Sequence, residues 1–352
     1  MTEKQNRKHG WKWVPVYPGL LMLLLFCGKS ETETRAFYYW KTQYDLTESD
    51  HQTLSSLGIN TLYVRFFDIA WDNGRARPVS PVAVAESAFI PKTVVPVVFI
   101  TNETFAKMEP AQVAGLAHNT VEEVFHLAQL FPGAIIPQVQ MDCDWTPRTR
   151  ERYFGFLGLV DAGLKKKQES VLLSATIRLH QIRHQAENGV PPVDRGVLMA
   201  YHTTAPTTFS EKNSILDVDL VNSYLKTAQD YPLALDPAMP IFSWAIQYDS
   251  NRKFIRLLHR VDPAALEDGW EKVGPGLFQA RADTFLADKR MMNGDLVKLE
   301  ANTLSDLNRL ARILSHRAEP GGTVLLFHYD SDHIARLTQD DPLKLEELLA
   351  VF

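Results

Sequence analysis

The sequence predicts an α/β fold, a (β/α)8 TIM barrel with an extended helical insertion between strands seven and eight. Three observations carry that expectation. Eight apolar, β-branched and aromatic runs recur between residues 36 and 330. Several of them are near-continuously apolar, as strands buried on both faces are. Helical patterns separate the runs, so that strand and crossover alternate. An open doubly wound sheet is the alternative, but no glycine-rich phosphate loop follows the first strand, which weighs against a dinucleotide-binding version.

The expected strands are 36–44, 60–71, 93–101, 134–145, 170–180, 195–202, 238–248 and 322–330. The first helix, 46–58, has Thr47 as its N-cap and Gly58 at its C-terminal end. Segment 109–131 repeats apolar residues at intervals of three and four. Segment 146–167 opens on Thr146-Pro147 and closes on Lys165, Lys166 and Lys167, which complement the helix dipole. Helices at 215–231 and 304–318 complete the set. The connection 249–321 is too long for one helix and is expected to hold several.

The 352 residues are 45% hydrophobic and 22% charged, with a formal net charge of -5. That accommodates one barrel of roughly 250 residues or more as a single domain, 36–352. With mild acidity and no long basic run, nucleic acid is not an expected partner. At the N-terminus, Lys4, Arg7, Lys8 and Lys12 precede the apolar stretch "VPVYPGLLMLLLF" and then Cys27-Gly28. A basic region followed by a short apolar core reads as an export signal over 1–27, below the about 20 residues of a spanning helix. Cys27 resembles a bacterial lipoprotein cleavage site, although Phe26 stands where a small residue is usual; an uncleaved anchor is the alternative. Residues 28–35 become a polar tether. The expected product is a lipid-anchored cell-envelope protein that meets the membrane through Cys27. With Cys27 lipidated, Cys143 has no disulfide partner and reads as a small buried hydrophobe.

Chemistry in such barrels gathers at the C-terminal ends of the strands. In "QVQMDCDWTP" (138–147), Gln138, Gln140, Asp142 and Asp144 occupy alternate positions and line one strand face. Other predicted strand ends offer Trp40; Arg65, Asp68 and Trp71; Arg178 and His180; Tyr201 and His202; Trp244; and His328 with Asp330. Trp40, Trp71, Trp145 and Trp244 share one predicted face. Flat rings beside carboxylates and amides suit sugars, which present apolar C–H faces and a rim of hydroxyls. His180, His202 and His328 with the aspartates could instead gather around a metal. No HxH or HExxH spacing supports that, so neither a metal nor a cofactor is expected.

The fourth strand resembles that of the chitinase-like, family 18 type glycoside hydrolases, which carries DxxDxDxE. In "VQMDCDWT", Asp142 and Asp144 fall on the second and third Asp, and Val139 on the first. "LLSAT" (172–176), "VLMAYH" (197–202) and "MPIFSW" (239–244) are similar to the next three strands, so the resemblance covers 134–248. It implies a barrel that binds or hydrolyses a glycan, with Asp144, Asp142 and Tyr201 around an acetamido group. The family's general acid is the final Glu, and here that position is Thr146. The tryptophan that floors the sugar subsite on the eighth strand is also missing.

The expected site therefore has Asp144 as central carboxylate and Asp142 as its neighbour. Tyr201 and Arg178 position the substrate. Gln140, His180, Arg65, Asp68, His328, Asp330 and the four tryptophans are further contacts. Paired-acid glycosidases hold their carboxyls about 5.5 Å apart for retention or about 6.5–9.5 Å for inversion. A donor such as Glu103, Asp68 or Asp330 could complete a pair with Asp144. The rival readings are a glycan-binding scaffold that has lost its acid and a metal-dependent hydrolase.

Overall fold

The computed structural model describes residues 1–2, 34–226, 231–259, 261–319, 321–339, 341 and 343–352. The export signal, Cys27 and residues 28–33 of the tether lie outside the described residues. The chain divides into two units, Met1–Glu31 and Thr32–Phe352, and the second is the barrel. Among the described residues, no helix is long and apolar enough to cross a membrane.

Eight parallel strands form the barrel: β1 (Thr34–Tyr39), β2 (Thr61–Asp72), β3 (Thr93–Ile100), β4 (Gln138–Asp142), β5 (Leu172–Arg178), β6 (Arg195–Met199), β7 (Leu235–Pro240) and β8 (Thr323–Phe327). Each pairs with its neighbours in sequence order. The ring closes where β1 pairs with both β2, Ala36 opposite Thr61, and β8, Thr34 opposite Thr323. Closure removes the unpaired edges of an open sheet and overturns the doubly wound alternative. The strands are buried on both faces, which is why runs such as "TVVPVVFI" lack polar alternation.

The helices follow the predicted order, with adjusted ends. Glu48–Ser56 carries the expected cap: Thr47 accepts from the Asp50 amide while Asp50 accepts from the Thr47 amide. Gly58 follows at φ +70°, the left-handed region that glycine adopts without a side-chain clash. Val113–Ala128 packs on Arg150–Lys167, and a Cβ on Gly163 would lie 3.0 Å from Val121 Cγ2, so glycine permits the close approach. The second of these helices begins at Arg150 rather than at Thr146-Pro147. The Thr149 hydroxyl accepts from the Thr146 amide at 2.9 Å and folds 146–149 into a turn.

Two expectations about strands are corrected. The run 238–248 is not one strand: it breaks at Ile241-Phe242-Ser243, leaving β7 in the barrel and Trp244–Tyr248 in a second sheet. The insertion 249–321 is also mostly sheet rather than the several helices expected, with one α-helix among its described residues. Trp244–Tyr248, Phe254–Leu258, Trp270–Gly274, Leu277–Ala280 and Leu296–Glu300 form a five-stranded antiparallel sheet, followed by the helix Leu304–Ser315. Trp270–Gly274 and Leu277–Ala280 are joined by a tight turn in which Gly276 needs its missing side chain: a Cβ there would sit 2.9 Å from the Leu299 carbonyl oxygen. Ala245, Leu258, Leu266, Trp270, Met291 and Val297 give this sheet a core of its own.

A buried polar knot ties the sheet to the barrel. Glu300 accepts from Lys298 Nζ at 2.6 Å, from Trp244 Nε1 at 2.8 Å and from the Ser214 hydroxyl. Glu300 belongs to the last strand of the insertion, Trp244 to its first, and Ser214 to the loop after β6.

Candidate functional site

The C-terminal mouth of the barrel opens into a cleft of about 810 Å³. Alternation along β4 turns Gln138, Gln140 and Asp142 into the barrel interior, stacked from the bottom toward the mouth. Gln138 donates to Ser174 Oγ at 2.6 Å, and Gln140 accepts from Tyr38 at 2.7 Å. These amides satisfy polar groups inside the barrel. Gln140 is fully buried below the cleft, which corrects its expected role as a ligand contact.

Asp142 tops that column and enters the floor of the cleft. It is 2% exposed and accepts from the Thr176 hydroxyl at 2.6 Å. Burial pushes its carboxyl up to about 6, with Arg178 opposing the shift and Asp144 adding to it. Asp144 lies just past the strand and reaches the surface. The guanidinium of Arg178, at the end of β5, grips it with two hydrogen bonds, Nε to Oδ1 and Nη2 to Oδ2. Arg178 Nη1 also lies 3.4 Å from His202 Nδ1. On the opposite wall Arg65 clamps Asp68 in the same way, with Nε 2.8 Å from Oδ1. Two arginine–aspartate forks therefore face the cleft, each presenting a planar array of donors and acceptors.

Aromatic side chains fill the space between. Trp40, Phe99, Tyr201 and Phe327 line the cleft together with Met199 and Lys41. Phe327, at the end of β8, packs against Tyr38, Trp40 and Tyr201 with ring centroids 5.3–5.6 Å apart. It is the aromatic residue that lines the cleft at the end of the strand where the sequence has no tryptophan. Tyr201 is 2% exposed, and its hydroxyl has no partner among the described residues.

The remaining predicted residues scatter. Trp145 is fully buried, stacked on Tyr153, and donates to the Asn188 carbonyl at 3.0 Å, so it is core rather than a sugar platform. Trp71 sits where β2 runs past the barrel and pairs with Arg75–Val79, outside the cleft lining. Trp244 stands to one side, its ring parallel to His202 within 3° at a 5.4 Å centroid distance. His328 and Asp330 line an adjoining chamber, where Asp330 lies 3.5 Å from Lys41 and caps the helix Ser331–Thr338. His180 lines a recess on the other side, with Thr146 and Tyr224. Glu103 pairs with Lys107 on the exposed face of Asn102–Lys107 and does not line the cleft. Cys143 is buried on the far side of β4 and its thiol is pushed up by burial, as expected of a packing residue.

The histidines and aspartates weighed as a metal cluster are divided among these cavities. Among the described residues no group of three His, Cys, Asp or Glu side chains is placed to hold a metal ion. Lys41, Phe99, Met199 and Phe327 escaped the sequence reading, although Lys41 adjoins Trp40 and Phe327 adjoins His328.

No protein-family model matches the sequence, and no curated protein matches it. Solved structures do. A chitinase from Chromobacterium violaceum superposes with a TM-score of 0.52 at 15% identity, covering 88% of this chain and 99% of that one. The Group IV chitinase of Ostrinia furnacalis gives 0.51 at 12%, covering 91% and 100%. The spore cortex-lytic enzyme SleL of Bacillus cereus gives 0.52 at 14%, covering 91% and 74%. At such identities the likeness is one of architecture, and it agrees with the closed ring of eight parallel strands. The chain folds as a divergent chitinase-like (β/α)8 barrel.

Proposed function

We propose that the cleft binds a glycan and holds it without hydrolysing it. The observation that carries this reading is the Asp144–Arg178 fork. A carboxylate that shuttles protons needs an oxygen free to face the substrate and a donor across the scissile bond. Both oxygens of Asp144 accept from one guanidinium. Asp68 is likewise clamped by Arg65, and Thr146, in the position of the family's acid, is part of the turn that starts a helix. The aromatic floor, the two forks and the unpartnered Tyr201 hydroxyl are what a sugar's C–H faces, hydroxyls and amide require.

Calorimetry with N-acetylglucosamine oligomers, with the products followed by mass spectrometry, tests the reading. Binding with unchanged oligomers is the expected result; cleavage that Asp142→Asn abolishes would overturn it. Arg178→Ala removes a charged fork worth about 1.5–3 kcal/mol, so affinity should fall roughly 10- to 100-fold. One feature favours hydrolysis as a second reading: Asp142, pushed up to about 6, holds a proton under mildly acidic conditions. Turnover of a chromogenic N-acetylglucosaminide that rises below pH 6 would select it.

Export and lipid anchoring belong to the same proposal, supported by the layout of residues 1–27. Cys27→Ser should remove label incorporated from radioactive palmitate and move the protein from the membrane to the soluble fraction. Labelling unaffected by the substitution would sink the anchor.

A further inference from the structure

Beside the main cleft lies a second chamber of about 400 Å³. Trp40, Lys41, His202 and Phe327 line both spaces, so the two adjoin. Their walls differ. The cleft presents two open arginine–aspartate forks, whereas Trp40, Phe242, Trp244 and Phe327 surround the chamber with rings.

Several of the chamber's polar groups are engaged with one another, and His259 adds an exposed imidazole at its edge. Lys41 and Asp330 neutralise each other at 3.5 Å, and Asp330 also accepts from the amides of Asp332 and His333. Ser243 Oγ lies 3.3 Å from His333 Nδ1. The Nδ1 of His328 is buried without a hydrogen-bond partner among the described residues, and burial pushes that imidazole down to about 4, so it is uncharged at neutral pH. A sugar ring brings several hydroxyls, each of which needs a partner once buried. This wall offers few. An alkyl or aryl group asks only for contact area and removal from water.

From this contrast we infer that the chamber takes an apolar group attached to the sugar held in the main cleft, so that the ligand is an alkyl- or aryl-substituted glycan. The inference rests on the glycan reading of the cleft. Trp244 forms the wall between barrel and insertion, and its bond to Glu300 fixes its ring against His202. The insertion therefore supplies this second pocket's shape.

The test compares the methyl and hexyl β-glycosides of N-acetylglucosamine with the unsubstituted disaccharide by calorimetry. Hexyl should bind at least about tenfold more tightly than methyl, and gain more than the second sugar does. Ser243→Trp fills the chamber from its rim, and should erase the hexyl gain while leaving the methyl glycoside unchanged. Equal affinity for methyl and hexyl, or a disaccharide gain as large as the hexyl gain, overturns the inference. If no glycoside binds, the glycan reading fails and hexanol alone decides the chamber. Saturation-transfer NMR from the protein to hexanol, lost in Ser243→Trp, upholds an apolar pocket; no transfer in the unaltered protein rules it out.

Discussion

Lys298→Met should destabilise the protein by about 3–5 kcal/mol, the usual cost of removing one partner from a buried ion pair. Lys298 and Glu300 side chains are 7% and 1% exposed, and the ammonium lies 2.6 Å from the carboxylate. Methionine conserves most of the volume but leaves Glu300 charged and buried, with only the Trp244 and Ser214 donors beside it. Urea unfolding should show a lower midpoint with an unchanged slope. Adding Glu300→Leu should recover only part of the loss, because the Trp244 indole N–H and the Ser214 hydroxyl then lack an acceptor. A single-variant cost below about 1 kcal/mol would mean that the pair is solvated like a surface bridge.

Asp142→Asn should stabilise the protein at neutral pH and do nothing at pH 4. The carboxyl is pushed up from the ordinary 3.8 to about 6, so the folded state binds its proton more tightly than the unfolded chain. Its stabilising contribution is complete below about 4 and disappears as pH rises through 6, a change of about 3 kcal/mol. Asparagine imitates the protonated form and keeps an acceptor for Thr176, so the variant escapes that loss. His328 titrates in the opposite sense. Its imidazole falls from 6.5 to about 4 through burial, so its contribution is present above 6.5 and lost on acidification. The wild-type profile mixes the two, but the difference between wild type and Asp142→Asn isolates the carboxyl. A difference that stays constant from pH 4 to pH 7 would refute the raised value.

What could be read from the sequence follows from which forces are local. Strands buried on both faces declare themselves as apolar runs, and Thr47, Gly58 and Lys165–Lys167 mark helix ends through backbone chemistry within a few residues. Alternation placed Gln138, Gln140 and Asp142 on one face. It could not say how deep each would lie, because depth depends on the seven other strands. Trp145 looked like a sugar platform until Tyr153 and Asn188, from later in the chain, enclosed it. The insertion misled for a similar reason. Its strands are three to five residues long, too short to show a period, and they are specified by turns and by mutual pairing. One of the arginine forks joins Arg178 to Asp144, 34 residues away, and no spacing rule announces such a pair.

Barrel closure has a consequence for the order in which this chain can be built. β1 is the first strand of the ring to leave the ribosome, yet its partner β8 begins at Thr323. Synthesis proceeds from the N-terminus at about 5–20 residues per second, so β1 waits for that partner until residue 323 and beyond has been made. Throughout that interval β1 and the most recently added strand, β7 at the last, are unpaired edges with apolar faces, the kind of surface that recruits foreign strands. Chaperone demand should therefore peak just before β8 emerges, and a message cut short there would leave a sticky, open ring.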